Sequence, residues 1–97
     1  MSFIVDLGIP FNEDNQENVI ELSNEIEELL EELGGLTASS GGGFGYRDIQ
    51  IEFEEGSESQ VEKIVKLKLE EQNIQLGNDP DDETRAYLSI YDKEKNK

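Results

Sequence analysis

The chain has 97 residues, enough for one compact domain and too few for a second core. It carries 24 Asp and Glu against 8 Lys and Arg, a net charge of −16, and has neither cysteine nor histidine. Those absences exclude disulfides, thiolate-ligated zinc, a thiol nucleophile and every mechanism built on imidazole.

Phe3, Val5, Leu7 and Ile9 alternate with Ile4, Asp6 and Gly8, the period of a half-buried strand, which Pro10 ends. Asp14 and Glu17 have capping-box spacing. Beyond them Val19, Leu22, Ile26, Leu29, Leu30 and Leu33 recur every three or four residues, predicting an amphipathic helix stopped by Gly34-Gly35. Leu36 to Ser40 reads as a weak strand of small residues and Gly41 to Gly43 as a turn. From Phe44 to Glu54 the strand period returns, with Ile49, Ile51 and Phe53 on one face and Asp48, Gln50, Glu52 and Glu54 on the other.

Ser57 and Gln60 form a second capping box, opening a helix that carries Val61, Ile64, Val65 and Leu69. Over 64–69 a strand competes, because Val65, Leu67 and Leu69 alternate with lysines; capping and length favour the helix. Gly77 to Asp82 is a loop rich in breakers. Ala86, Leu88 and Ile90, interleaved with Tyr87, Ser89 and Tyr91, make a last strand, and residues 93–97 a polar tail that frays. The expected architecture is one α+β domain over residues 1–92. It is a ferredoxin-like two-layer sandwich of βαββαβ order, with two helices on one face of a four-stranded antiparallel sheet.

The acidity is uneven. Residues 1–46 hold ten carboxylates and no Lys or Arg, whereas residues 47–97 hold fourteen carboxylates and all eight basic residues. The first helix therefore has no internal ion pair to offset repulsion between Glu21 and Glu25, Glu27 and Glu31, or Glu28 and Glu32. A solubilising face accounts for such a run, and so does a surface shaped for a basic partner through steering and charge complementarity.

Other chemistry fits less well. The Gly41-Gly-Gly-Phe-Gly45 stretch lacks the following helix and lysine of a phosphate-binding loop and reads as a hairpin connection. Asp79, Asp81, Asp82 and Glu83 miss the calcium-loop pattern, since Thr84 and Ile90 stand where Gly and Glu are needed. Every carboxylate falls on a solvent face, a cap or a loop except Asp6, so no acid–base pair is expected and the chain is read as not an enzyme. Phe44, Tyr46, Tyr87 and Tyr91 suit the open face of a sheet, but only Arg47 and Arg85 are near, and the net charge opposes nucleic acid. Those aromatics read as anchors in a protein interface. No metal or cofactor is expected. Asp6 without Lys or Arg in the first ten residues argues against a secretory signal, and no apolar run has membrane-spanning length, which fits a cytoplasmic protein.

Four segments carry a resemblance: Leu30 to Gly35 (LEELGG), Ser40 to Gly43 (SGGG), Asp48 to Glu52 (DIQIE) and Ala86 to Tyr91 (AYLSIY). Across residues 28–92 they make the chain similar to small ferredoxin-like immunity proteins of polymorphic toxin systems. The resemblance implies an antidote that docks on a toxin enzyme and blocks it. The leading expectation is thus a stoichiometric inhibitor, an immunity protein or antitoxin, of a basic, nucleic-acid-acting toxin. Its partner-binding residues, chosen from charge and the aromatics, are Glu17, Glu21, Glu25, Glu28, Glu31, Glu32, Asp48, Glu52, Glu54, Tyr46 and Tyr87. The alternatives are a phage-type DNA-mimic decoy of a nucleic-acid-binding enzyme, and a structural or regulatory homodimer built through the sheet.

Overall fold

The computed structural model describes residues 2–43, 45–77 and 85–92. Strand β1 (Phe3–Pro10) leads into helix α1 (Gln16–Glu32), then strands β2 (Leu36–Gly43) and β3 (Tyr46–Phe53), helix α2 (Glu58–Glu71), the two-residue strand β4 (Leu76–Gly77) and strand β5 (Ala86–Asp92). The sheet order is β2-β3-β1-β5-β4. All pairs are antiparallel except β4 with β5. The βαββαβ expectation is therefore corrected in one respect: the sheet is five-stranded and mixed, not four-stranded and antiparallel. Leu76 and Gly77, expected to lie outside the strands, pair with Ala86 and Tyr87 because they run alongside β5 after α2 returns.

Parity along β1 sets the core. Its register opposes Phe3 to Phe53, Val5 to Ile51 and Leu7 to Ile49 on one side, and Val5 to Ile90 and Leu7 to Leu88 on the other. These inward residues pack against Val19, Leu22, Ile26 and Leu30 of α1 and Val61, Val65 and Leu69 of α2 in one buried cluster. Phe3 and Phe53 stack with ring centroids 4.8 Å apart. In α2, Leu67 is 54% exposed while Val65 and Leu69 are buried. A strand would turn all three the same way, so a helical period governs 64–69.

The helix ends are built as local chemistry dictates, with one departure. Gly34, at φ 103°, and Gly35 donate to Glu31 and Leu30, a Schellman stop as expected. Helix α2 ends the same way, with Asn73 in the left-handed position. Ser57 accepts from the Gln60 N–H at 3.3 Å. The Asp14–Glu17 capping box does not form. The helix starts at Gln16, and Asn12 and Asn15 instead knit the preceding turn: Asn12 Oδ1 accepts from the N–H of Asp14 and of Asn15, and Asn15 Oδ1 from that of Asn12. Asn side chains that close a turn on themselves displace the cap expected two residues later.

Gly41 to Gly43 were expected to turn; they continue β2 to its end, paired with Asp48, Arg47 and Tyr46. The chain reverses between Gly43 and Tyr46, where Gly45 stands at φ 85°. A two-residue hairpin connection needs positive φ, and Gly45 supplies it. The breaker-rich stretch with its carboxylates at 79–83, Phe44, and the tail at 93–97 lie outside the described residues.

Gly35 has a second task. A β-carbon there would lie 2.7 Å from both Ile51 Cγ2 and Phe53 Cζ, so the chain leaves α1 in contact with the sheet. Gly35→Ala is expected to cost about 1–3 kcal/mol in urea unfolding, the range for overpacking a core. Gly41, with open space around it, is the control. If Gly35→Ala costs no more than Gly41→Ala, the close-packing account fails.

Candidate functional site

The expected binding residues divide between two surfaces on opposite sides of the sheet. On α1 the apolar residues face the core, and Glu17, Glu21, Glu28 and Glu32 are exposed along the other side. Helical rise spreads that stripe over about 22 Å. Glu25 and Glu31 flank it and are less free. Glu25 meets Lys68 of α2 at 3.6 Å, and Lys68 also meets Glu71 at 3.5 Å. Glu31 and Glu27 each stand 2.9 Å from the Thr37 hydroxyl of β2, which has one proton to donate between them. The compensation missing within α1 is thus supplied in part by the second helix. Helix α2 is mixed in charge, with Glu62 and Lys66 paired at 2.9 Å.

The second surface is the face of the sheet away from the helices. Register assembles it row by row: Leu36, Glu52, Ile4 and Tyr91; Ser39, Gln50, Asp6 and Ser89; Gly41, Asp48, Gly8 and Tyr87; Gly43, Tyr46 and Pro10. Three tyrosines and three carboxylates share these rows with no Lys or Arg among them. Arg85 stands beyond the paired rows, two residues before Tyr87. Arg47 turns the other way, its Nε donating to the buried Ser23 hydroxyl at 3.1 Å. Of the expected residues, Asp48, Glu52, Tyr46 and Tyr87 meet here; Glu54 lies past the end of β3 and is exposed.

Sequence reasoning set Tyr91 on the open face but not among the binding residues, and missed Asp6, Ile4 and Leu36 as members of this face. Parity held the signal: residues of β5 that alternate with the inward Leu88 and Ile90 must join Ile4 and Asp6. Leu36 is 70% exposed at its corner. Across the central strand Gln50 Nε2 donates to the Tyr91 hydroxyl at 3.2 Å, bridging β3 and β5 beside Asp6. Gly8 leaves a low point in the face. A β-carbon there would lie 3.2 Å from Asp48 Oδ1 and 3.5 Å from Tyr46 Cδ1, so the tyrosine ring and the carboxylate close over it.

Burial first, and the charge of Asp48 second, raise the Asp6 carboxyl above its ordinary value of 3.8. Two neighbouring carboxylates with one shifted upward is a pattern also met in acid–base catalysis. Here the pair sits on an open sheet face, whereas hollows lined by described residues flank the turn before α1, the region of Phe3 and Gly56, and the end of α2. Among the described residues no group of three or more acidic side chains converges to hold a metal, and no helix is long and apolar enough to cross a membrane. Comparison with protein-family models, curated proteins and solved structures finds no match.

The Asp6 shift has a sign that can be measured. The folded protein holds this proton to higher pH than the unfolded chain, so ionisation weakens the fold as pH rises through the folded value. Below 3.8 that cost is absent. Asp6→Asn is therefore expected to raise Tm at mildly alkaline pH, with the gain shrinking to nothing as the solution is acidified below the ordinary value. A gain independent of pH would overturn the assignment.

Proposed function

We propose that the chain is a stoichiometric protein inhibitor of immunity-protein or antitoxin type, cytoplasmic and not itself an enzyme, that binds and blocks a basic, nucleic-acid-acting protein. The fold we propose for it is a ferredoxin-like sandwich in which β2-β3-β1-β5 is the antiparallel sheet and β4 an addition. The observation that carries it is the open sheet face, where Tyr46, Tyr87 and Tyr91 stand among Asp6, Asp48 and Glu52. Tyrosines offer large, stiff contact area and aromatic faces for a guanidinium or ammonium, and the carboxylates complete the ion pairs. The α1 stripe adds the long-range field. Charge of that kind raises association rates more than it slows release.

A DNA-mimic decoy fits less well. Imitating a duplex calls for two ordered rows of carboxylates; α1 provides one, while α2 interleaves Lys63 and Lys66 with Glu62 and Glu70. A homodimer through the sheet would bring two carboxylate-bearing faces of a chain with net charge −16 together, which like-charge repulsion opposes.

Two sets of variants separate the roles. Capture from source-cell extract at low and high salt identifies the partner, and recovery of no basic protein in either condition sinks the proposal. With the partner in hand, Glu17, Glu21, Glu28 and Glu32 changed together to Gln is expected to slow association about tenfold at low salt, an effect that vanishes as screening rises. Tyr87→Ser with Tyr91→Ser is expected to speed dissociation at least about tenfold, since interface tyrosines commonly contribute 2 kcal/mol or more. Unchanged dissociation would remove the sheet face from the interface.

A further inference from the structure

One end of the described sheet is β4, Leu76–Gly77. At the other, β2 runs eight residues, Leu36–Gly43, without a charged residue or a proline. Among the described residues, no backbone group outside the β2–β3 ladder pairs with it. Natural edges are usually blunted by lysine, proline, shortness or a bulge. Of these β2 has only the irregularity between Thr37 and Ser39, which leaves Ser39 to Gly43 in regular register.

We propose that β2 is a docking edge that takes up an extended, arginine- or lysine-bearing segment of a partner protein as an added strand. This inference rests on the reading above that the partner is basic. The backbone supplies the affinity, since a strand edge presents alternating N–H and C=O groups to any extended chain. The two-residue connection makes Gly43 and Tyr46 a hydrogen-bonded pair. By alternation, the N–H groups of Gly42 and Ser40 point away from β3. Gly41 to Gly43 put no side chain in the way.

Charge selects the occupant. Glu27 and Glu31 reach from α1 to Thr37, on the helix side of this edge, and the outer face beside it carries Asp48 and Glu52. An incoming strand sends alternate side chains to the two faces, and on whichever face its basic residues fall they meet carboxylates. A second copy of this chain would instead bring its own Glu27 and Glu31 to the same seam, where like charges oppose pairing.

The test uses the full chain and an eight-residue peptide of alternating arginine and valine, followed by amide exchange and by fluorescence anisotropy. Saturating peptide is expected to slow exchange of the Ser40 and Gly42 amides at least about tenfold, as hydrogen-bonded amides are protected. Ser40→Pro, which removes an outward N–H at a position tolerated on an edge, is expected to weaken peptide binding at least tenfold. Ser40→Thr retains it. Protection confined to α1 or the open face overturns the inference. So does protection of β2 that grows with protein concentration in the absence of peptide, the mark of self-pairing. Should Ser40→Pro fail to fold, exchange in the unaltered chain still decides. If peptide leaves β2 unprotected while the extract yields a basic partner whose release depends on Tyr87 and Tyr91, the edge inference falls and the inhibitor reading stands.

Discussion

Strand β1 is hydrogen-bonded along both sides, to β3 and to β5, and everything else in the structure follows from its parity. One set of its side chains, Phe3, Val5, Leu7 and Ile9, is buried at 2% exposure or less. That set fixes which residues of the neighbouring strands turn inward, and so where both helices must lie. The other set, Ile4, Asp6, Gly8 and Pro10, becomes the midline of the open face. Slipping this strand by one residue would exchange the two sets, placing Asp6 in the core and Phe3 in water. The same register that builds the core therefore assembles the tyrosines and carboxylates opposite it.

Much of this was legible in the sequence because it is local or periodic. The alternation in β1 and β3, the helical period of α1 and the glycine stop at Gly34 each express a rule that acts over a few residues. The failures are those where a local signal met a competitor. Asp14 and Glu17 had cap spacing, but Asn12 and Asn15 closed a turn first. Gly41 to Gly43 looked like a turn because glycine is permissive, yet pairing to β3 holds them extended. Strand β4 carried no signal at two residues, being a strand only by virtue of its neighbour. The candidate site was half legible: its residues were singled out by type, but their division between two faces depends on register and crossover, which no single segment contains. Nor could composition show that Lys68, 43 positions away in the chain, comes to Glu25.

The electrostatics acquire a direction once the fold is known. A count of carboxylates describes a uniform acidic body, whereas the folded chain has a bare acidic helix, a mixed helix and a sheet face in which charge is set among aromatic rings. Of these, the sheet face holds the more withdrawn charge: Asp6 and Glu52 are half-buried there, whereas Glu17, Glu21, Glu28 and Glu32 of α1 are exposed. Charge that is partly withdrawn from solvent interacts more strongly with an approaching cation than the same charge on α1. The helix and the sheet face thus act at different ranges, one across solvent and the other on contact.

The position of β1 between β3 and β5 also bears on how the protein comes into being. Translation delivers β1 before any strand it pairs with, and β5 after every other described element. A hairpin of β2 and β3 can form as soon as its turn emerges, but the midline strand stays bonded on one side at most until β5 arrives. Half of its ladder is therefore closed only by the most distant pairing in the chain, a contact order that slows folding. Until then Val5 and Leu7 have no strand on that side, and the growing polypeptide carries an apolar strand with an unfilled edge. The last strand is thus a latch on the first, and completion of the sheet is a late step rather than a gradual one.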